Sequence, residues 1–269
     1  MMLNVSRIKT LFATLFILSL NTVFASKITI SSDCELTTNL NINGITIKRL
    51  LIDTGSSGGL NLSEKVIQTL PGTPARFLKT KKYTDAYGGI RQTNIYEVPE
   101  LMIDGIRQQK VRLIAFKPWG KMDEHQKAFP INGVIGLDTF GDKVLHIDLQ
   151  KMNLSISDSF IPEQTALWEK LPINRTDYGA EINAIGEGGR PLRLVIDTGA
   201  NRSVIFNKNT DVESAEVTEV VAGKNLVIPA LKMTMNAPAL ADIDGFVGCD
   251  FIKNKHLVIA KDHLYISVN

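Results

Sequence analysis

The chain has 269 residues, enough for one large or two modest domains with real cores. Its hydrophobic content of 44% excludes a disordered polar chain. With 30 Lys and Arg against 28 Asp and Glu, it has too little surplus charge for a binder of nucleic acid or anionic membrane.

Residues 1–25 differ from the rest. Arg7 and Lys9 precede the apolar run from Leu11 to Leu20, and Val23-Phe24-Ala25 supplies small residues at cleavage spacing. This pattern predicts a secretory signal peptide cut after Ala25, and hence export to the periplasm or the medium. An uncleaved anchor is the alternative, but the run is short for a full membrane span. Removing residues 1–25 takes away Arg7 and Lys9 and no acid, so the mature chain carries 28 basic and 28 acidic residues. No later stretch is long enough to cross a bilayer. The mature protein is therefore expected to have neither a nucleic-acid nor a membrane partner.

Asn41-Ile42-Asn43-Gly44-Ile45-Thr46-Ile47 sets an Asn-Gly pair between alternating apolar residues, which predicts a hairpin. The following strand, Arg49 to Ile52, delivers Asp53-Thr54-Gly55. Ser63 to Leu70 predicts a short helix. Glu163 to Leu171, with Gln164 to Lys170 at its centre, predicts a second helix within a linker. Beyond it, Glu181 to Ile185 leads into the turn Gly186-Glu187-Gly188-Gly189. A strand from Leu192 then delivers Asp197-Thr198-Gly199. Cys34 and Cys249 are the only cysteines, and the apolar surroundings of Cys249 favour a small buried thiol over a disulfide.

The two Asp-Thr-Gly triplets, each behind three apolar residues, are the first of three repeated landmarks. Val98-Pro99-Glu100-Leu101-Met102-Ile103 parallels Ile228-Pro229-Ala230-Leu231-Lys232-Met233. Gly133-Val134-Ile135-Gly136-Leu137-Asp138 parallels Gly245-Phe246-Val247-Gly248-Cys249-Asp250. The copies are separated by 144, then 130, then 112 residues, an internal duplication whose second copy is shorter. Strand-like segments punctuated by Gly, Pro and Asn dominate both copies. The expected fold is all-β with two lobes, 26–160 and 161–269, and the boundary falls within 158–176.

The paired motifs resemble those of aspartic proteases, in the bilobal pepsin-like arrangement with one catalytic Asp per lobe. The resemblance implies two homologous β-barrel-like lobes with the active site between them. It implies catalysis by Asp53 and Asp197, with Thr54, Gly55, Thr198 and Gly199 supporting the active-site loops. Ile135-Gly136 and Val247-Gly248 match the segment that crosses behind each loop in that family. Tyr87-Gly88-Gly89 is the nearest match to a flap, giving Tyr87 and Gly88 a substrate-covering role, with Tyr83 a weaker competitor. Asp138 and Asp250 are read instead as caps for the short helices that follow. Lys117 to Phe129 reads as a solvated loop.

Downstream the motifs diverge. Asp53-Thr54-Gly55-Ser56-Ser57 is similar to pepsins, whereas Asp197-Thr198-Gly199-Ala200-Asn201 is similar to retroviral-type enzymes. Gly58-Gly59-Leu60 replaces the apolar-Trp continuation common after the pepsin motif. Ala200 lacks the hydroxyl that pepsins place beside the second carboxylate, which implies an optimum nearer neutral pH. One chain supplies both carboxylates, so a monomer acting on protein or peptide substrates is expected.

Two other readings compete. Gly55-Ser56-Ser57-Gly58-Gly59 satisfies the Gly-x-Ser-x-Gly elbow of serine hydrolases, with Ser57 as nucleophile and His125, His146, His256 or His263 as base. That reading requires helices between strands and leaves Asp197 unexplained. The other is a non-catalytic peptide-binding module on the same fold, although both Asp residues are kept. No cofactor is implied and no metal site is expected, because the four His residues lack partners at ligand spacing.

Overall fold

The computed structural model describes residues 24–72, 74–84, 90–116, 132–162, 167–207, 216–235 and 240–268. The expected signal segment up to Val23, Tyr87 and Gly88 of the expected flap, the stretch 117–129 with His125, and residues 163–166 of the expected linker helix lie outside the described residues.

The Asn43-Gly44 turn joins β2 (Leu36–Ile42) to β3 (Ile45–Asp53) as the sequence predicts. Asn43 and Gly44 have φ of 48° and 86°. Both central residues are thus left-handed, the turn whose twist matches its flanking strands. β3 pairs in parallel with β8 (Gly133–Gly136), placing Leu50, Leu51 and Ile52 beside Gly133, Val134 and Ile135. In the second half β13 (Pro191–Ile196) pairs in parallel with β17 (Gly245–Val247), in the register Leu194↔Gly245 to Ile196↔Val247. Parallel strands are covered on both faces, which is why each reads as an unbroken apolar run. Leu50, Leu51, Ile52, Leu194, Val195 and Ile196 are all buried.

The same plan continues around each pair. β4 (Leu60–Leu62) runs parallel to β7 (Ile106–Ala115) and antiparallel to β8. β14 (Val204–Asn207) runs parallel to β16 (Leu226–Thr234) and antiparallel to β17. A further sheet of six antiparallel strands draws on both halves. Its order is β1 (Phe24–Ile30), β10 (Asn153–Ser157), β9 (Val144–Asp148), β18 (His256–Ile259), β19 (His263–Ser267) and β11 (Trp168–Thr176). Its central pairing, β9 with β18, joins one strand from each half of the chain. A continuous buried cluster runs from Ile28 through Ile147 and Leu257 to Ile266. The fold is all-β: among the described residues the only α-helices are α1 (Glu64–Thr69) and α2 (Cys249–Ile252). Ser63 caps α1 through its hydroxyl, which accepts from Val66 N.

Three expectations are corrected. Trp168 to Leu171 is not helical but opens β11, where burial alternates through Glu169, Leu171 and Ile173. The period of two was hidden because Glu169 takes an inward position. Its carboxylate accepts from Lys224 N at 2.7 Å and Asn225 Nδ2 at 3.0 Å, at the turn between β15 (Val217–Ala222) and β16.

The Pro landmarks are not counterparts. Leu60 faces Leu113 of β7 where Val204 faces Leu231 of β16. Ile103 of β6 (Ile90–Ile103) meets Ile42 where Val221 of β15 meets Ile185 of β12 (Gly179–Ile185). So β16 stands for β7, and Pro229 answers to Val111 and not to Pro99. Among the described residues, the surplus of the first half is an added strand, β5 (Arg76–Thr84), paired only with β6.

Cys34 and Cys249 form a disulfide with Cα atoms 5.9 Å apart. The apolar neighbours of Cys249 describe its burial but not what it meets. The bridge closes 215 residues of chain, and by the loop-entropy argument Cys34→Ser with Cys249→Ser should lower unfolding free energy by about 2–5 kcal/mol. Denaturant titration of oxidised and double-Ser proteins checks this, and unchanged midpoints would contradict it.

His146 in β9 lies beside Phe160 and His256, with its Nε2 2.8 Å from Ser157 Oγ. Burial, and then the nearby His256, push it down to about 4, against a weaker upward pull from Asp148. His256 shifts downward too, by burial, opposed by Asp148. A His with a depressed folded value stays neutral while the unfolded chain takes up a proton. Stability should therefore fall as pH drops from about 6.5 toward 4. His146→Gln, which can still bond Ser157, should flatten that acid limb in thermal melts between these pH values.

Candidate active site

Both Asp-Thr-Gly triplets leave their strands at the same point. Asp53 ends β3, in register with Gly136, and Asp197 follows β13 with its N–H donating to Val247 O at 3.0 Å. The two turns face each other and are clamped by their threonines. Thr54 Oγ1 donates to Ile196 O at 2.6 Å, and Thr198 Oγ1 donates to Ile52 O at 2.7 Å. Each hydroxyl also accepts the opposite threonine's N–H, at 3.1 Å for Thr198 N and 3.0 Å for Thr54 N. Both threonines are buried, so these four bonds leave none of the groups without a partner.

The glycines settle how close the carboxylates come. A Cβ on Gly55 would sit 2.4 Å from Asp197 Cγ, and one on Gly199 would sit 3.0 Å from Asp53 Cγ. Each triplet's glycine therefore faces the other triplet's carboxylate. Gly199 N and Ala200 N donate to Asp197 Oδ1 at 2.8 and 3.1 Å.

Burial raises both carboxyls above their ordinary range. Asp53 is raised well above it, by burial first, then by the Asp197 charge and the hydrogen bond the two share. Asp197 is raised by burial but held back by the amides of Gly199 and Ala200 and by that same bond. Two carboxyls so placed cannot both ionise freely, and their titration belongs to the pair. Asp53 too is held back, by the amides of Gly55 and Ser56, so the pair holds one proton between two supported carboxyls.

A second layer backs each turn. Leu137 N donates to Ser56 O and Cys249 N to Ala200 O, both at 2.8 Å, so the segments after Ile135-Gly136 and Val247-Gly248 close on equivalent positions. A Cβ on Gly136 would lie 2.0 Å from Gly58 O, and one on Gly248 would lie 2.4 Å from the Arg202 carbonyl carbon. Only glycine fits at either place. The short helical turns after them are not capped by Asp138 or Asp250. Their N-caps are Gly136 and Gly248, without side-chain cap bonds. Asp138 instead pairs with Arg175 Nη1 at 3.2 Å. Asp250 Oδ1 accepts from Ser203 N and Ser203 Oγ, each at 2.8 Å, and Gly248 N donates to Ser203 Oγ at 3.0 Å.

Arg175, Asp177, Gly179 and Ser203 were not singled out by sequence reasoning. Ser57 Oγ donates to Asp177 O at 2.9 Å, and a Cβ on Gly179 would lie 2.0 Å from Thr54 O. The duplication held one usable signal: at the 144-residue offset Ser203 replaces Gly59, a new polar group beside the motif. The others act across the fold and leave no local trace.

Ser57 lies in the turn between two strands, and among the described residues no histidine bonds it. His146, His256 and His263 meet Ser157, Asp148 and Asp262 instead. The serine-hydrolase elbow thus lacks both its strand–turn–helix setting and a base among the described residues. Among those residues no group of three or more His, Cys, Asp or Glu is placed to hold a metal ion. Tyr87 and Gly88 fall outside them; the last described pair of the β5–β6 hairpin is Thr84↔Ile90.

Residues 38–139 match a family model described as aspartyl protease. The match takes in Asp53-Thr54-Gly55 and Ile135-Gly136, and this part of the chain is similar to that family. No curated protein matches the chain.

Thr54→Val and Thr198→Val should each cost about 2–4 kcal/mol, since Val leaves a buried carbonyl and a buried amide unpaired. Thr54→Ser, which keeps the hydroxyl, should recover most of the loss. Chemical denaturation of the three variants checks this, and Val variants as stable as wild type would contradict the clamp.

Proposed function

We propose that the protein is an aspartic endopeptidase in which Asp53 and Asp197 hydrolyse peptide bonds, one carboxylate from each of two homologous lobes. The observation that carries this reading is the reciprocal threonine clamp, which holds two buried carboxyls, both raised above their ordinary range, against each other. The family-model match supports protease activity in general. The finer assignment rests on this geometry and on the repeated motif.

Water bound between the pair attacks the peptide carbonyl carbon and passes a proton to ionised Asp197, while Asp53 gives its proton to the carbonyl oxygen. The resulting diol collapses as Asp197 protonates the amide nitrogen and Asp53 takes a diol proton. The C–N bond breaks, and the pair returns to its starting state. Thr54, Gly55, Thr198 and Gly199 hold the carboxyls in place and do not touch the reacting atoms. In this reading Tyr87 and Gly88 belong to a flap that covers the bound peptide. The raised values of both carboxyls, with no hydroxyl at Ala200, favour work nearer neutral pH than pepsins. In this reading the lobes are 26–160 and 161–269, and the enzyme is exported after cleavage at Ala25 and acts as a monomer. Cleavage there would leave Ser26 and Lys27 of β1 paired with Leu154 and Asn153.

Asp53→Asn and Asp197→Asn should each abolish cleavage of a denatured protein, and the double variant should be no worse than either single one. Asp53→Asn should also melt higher than wild type at pH 7. A carboxyl raised in the folded state keeps its proton where the unfolded chain loses it, so stability declines as pH rises from about 4 through the raised value. Asn removes that decline. Retained activity in Asp197→Asn together with loss in Ser57→Ala would favour the serine hydrolase. Inactivity of the folded wild type across pH would favour a binding module.

A further inference from the structure

A cavity of about 380 Å³ opens where β7, the turn Leu137–Phe140, β11 and the β18–β19 turn meet. Gly59, just past the Asp53 turn in the chain, forms part of its wall. Three buried donor atoms on residues lining it have no hydrogen-bond partner: Gln108 Nε2, Thr139 Oγ1 and Arg175 Nε. Gln108 is 8% exposed and Thr139 2%. An unpaired buried donor is costly, and three around one cavity call for a common acceptor.

The charges point the same way. Of the lining acids, Glu97 pairs with Arg76 at 2.9 Å and Asp138 with Arg175 at 3.2 Å. Lys110, Arg112 and Lys261 also line the cavity, form no ion pair among the described residues, and are opposed only by Asp142. We propose that this cavity binds an oxyanion, a phosphate or a carboxylate group. Its oxygens would accept from Gln108, Thr139 and Arg175 while its charge offsets Lys110, Arg112 and Lys261. Each of the three donor atoms is itself closed to solvent, so the Gln108, Thr139 and Arg175 side chains turn about their own bonds to meet it. Water could accept the same bonds but would leave the positive surplus unanswered. The site stands apart from the carboxylate pair and does not depend on peptide hydrolysis.

The test titrates the purified protein with sodium phosphate and, separately, with sodium acetate, holding ionic strength constant with sodium chloride. Binding is followed by calorimetry and by the NMR signal of the Gln108 side-chain amide. At least one anion should saturate and shift that signal. Phosphate alone would assign a phosphate ligand, acetate alone a carboxylate. Arg112→Gln combined with Lys261→Gln alters only exposed side chains and should weaken binding at least tenfold. Thr139→Val should weaken it as well. No saturable binding above the chloride control would overturn the proposal and leave a water-filled cavity. Undiminished binding by the Arg112→Gln, Lys261→Gln protein would also overturn it, by placing the anion elsewhere.

Discussion

The exchange of hydrogen bonds between Thr54 and Thr198 is the constraint on which the rest of the site depends. Each hydroxyl satisfies a carbonyl and an amide of the other half of the chain, in a place water does not reach. Pulling the turns apart would leave four such groups buried and unpaired, a cost of several kcal/mol. The strands β3 and β13 must therefore end facing one another. Once they do, the carboxylates that terminate them are forced together. Gly55 and Gly199 are required because any side chain there would enter the opposite carboxylate.

Such a junction needs a rigid backing, and the sheet of six strands supplies it. β9 and β18 pair at its centre, and the Cys34–Cys249 disulfide ties the start of β2 to α2, beside the second turn. The turns are further wedged from behind by Leu137 and Cys249, whose amides reach equivalent carbonyls in the two halves. The halves are not symmetric in their polar support. Asp250 is absorbed locally by Ser203, while Asp138 reaches across to Arg175 of β11.

Two buried groups of titrating residues oppose each other. The carboxyl pair holds a proton that the unfolded chain would release, so it weighs against the fold as pH rises. His146 and His256 exclude protons that the unfolded chain would take up, so they weigh against the fold as pH falls. Over the pH range in which both groups respond, the two tendencies oppose each other. The proposed chemistry needs one proton on the carboxyl pair, and the fold is sensitive to acid through its central sheet.

Much of this was legible in the chain. The duplicated triplets, the apolar runs before them, the Asn43-Gly44 hairpin and the capped helix at Ser63 are local patterns set by backbone preference and burial. Those patterns were enough for an all-β fold with Asp53 and Asp197 at strand ends. Where reading failed, a partner distant in sequence was responsible. Glu169 sits inward in β11 because the β15–β16 turn brings amides to it, so a strand resembled a helix. Pro99 and Pro229 share a local pattern, yet an added β5 shifts which strand neighbours which. Cys249 sits in an apolar run whether or not Cys34 meets it. The sequence by itself determined most of the elements and which two carboxyls end matching strands, because short-range sterics and hydrophobic period act within a few residues. Only the tertiary structure decided the disulfide, the raised proton affinity of the carboxyl pair and the cavity beside Gly59, because each arises from groups that folding brings together from far along the chain.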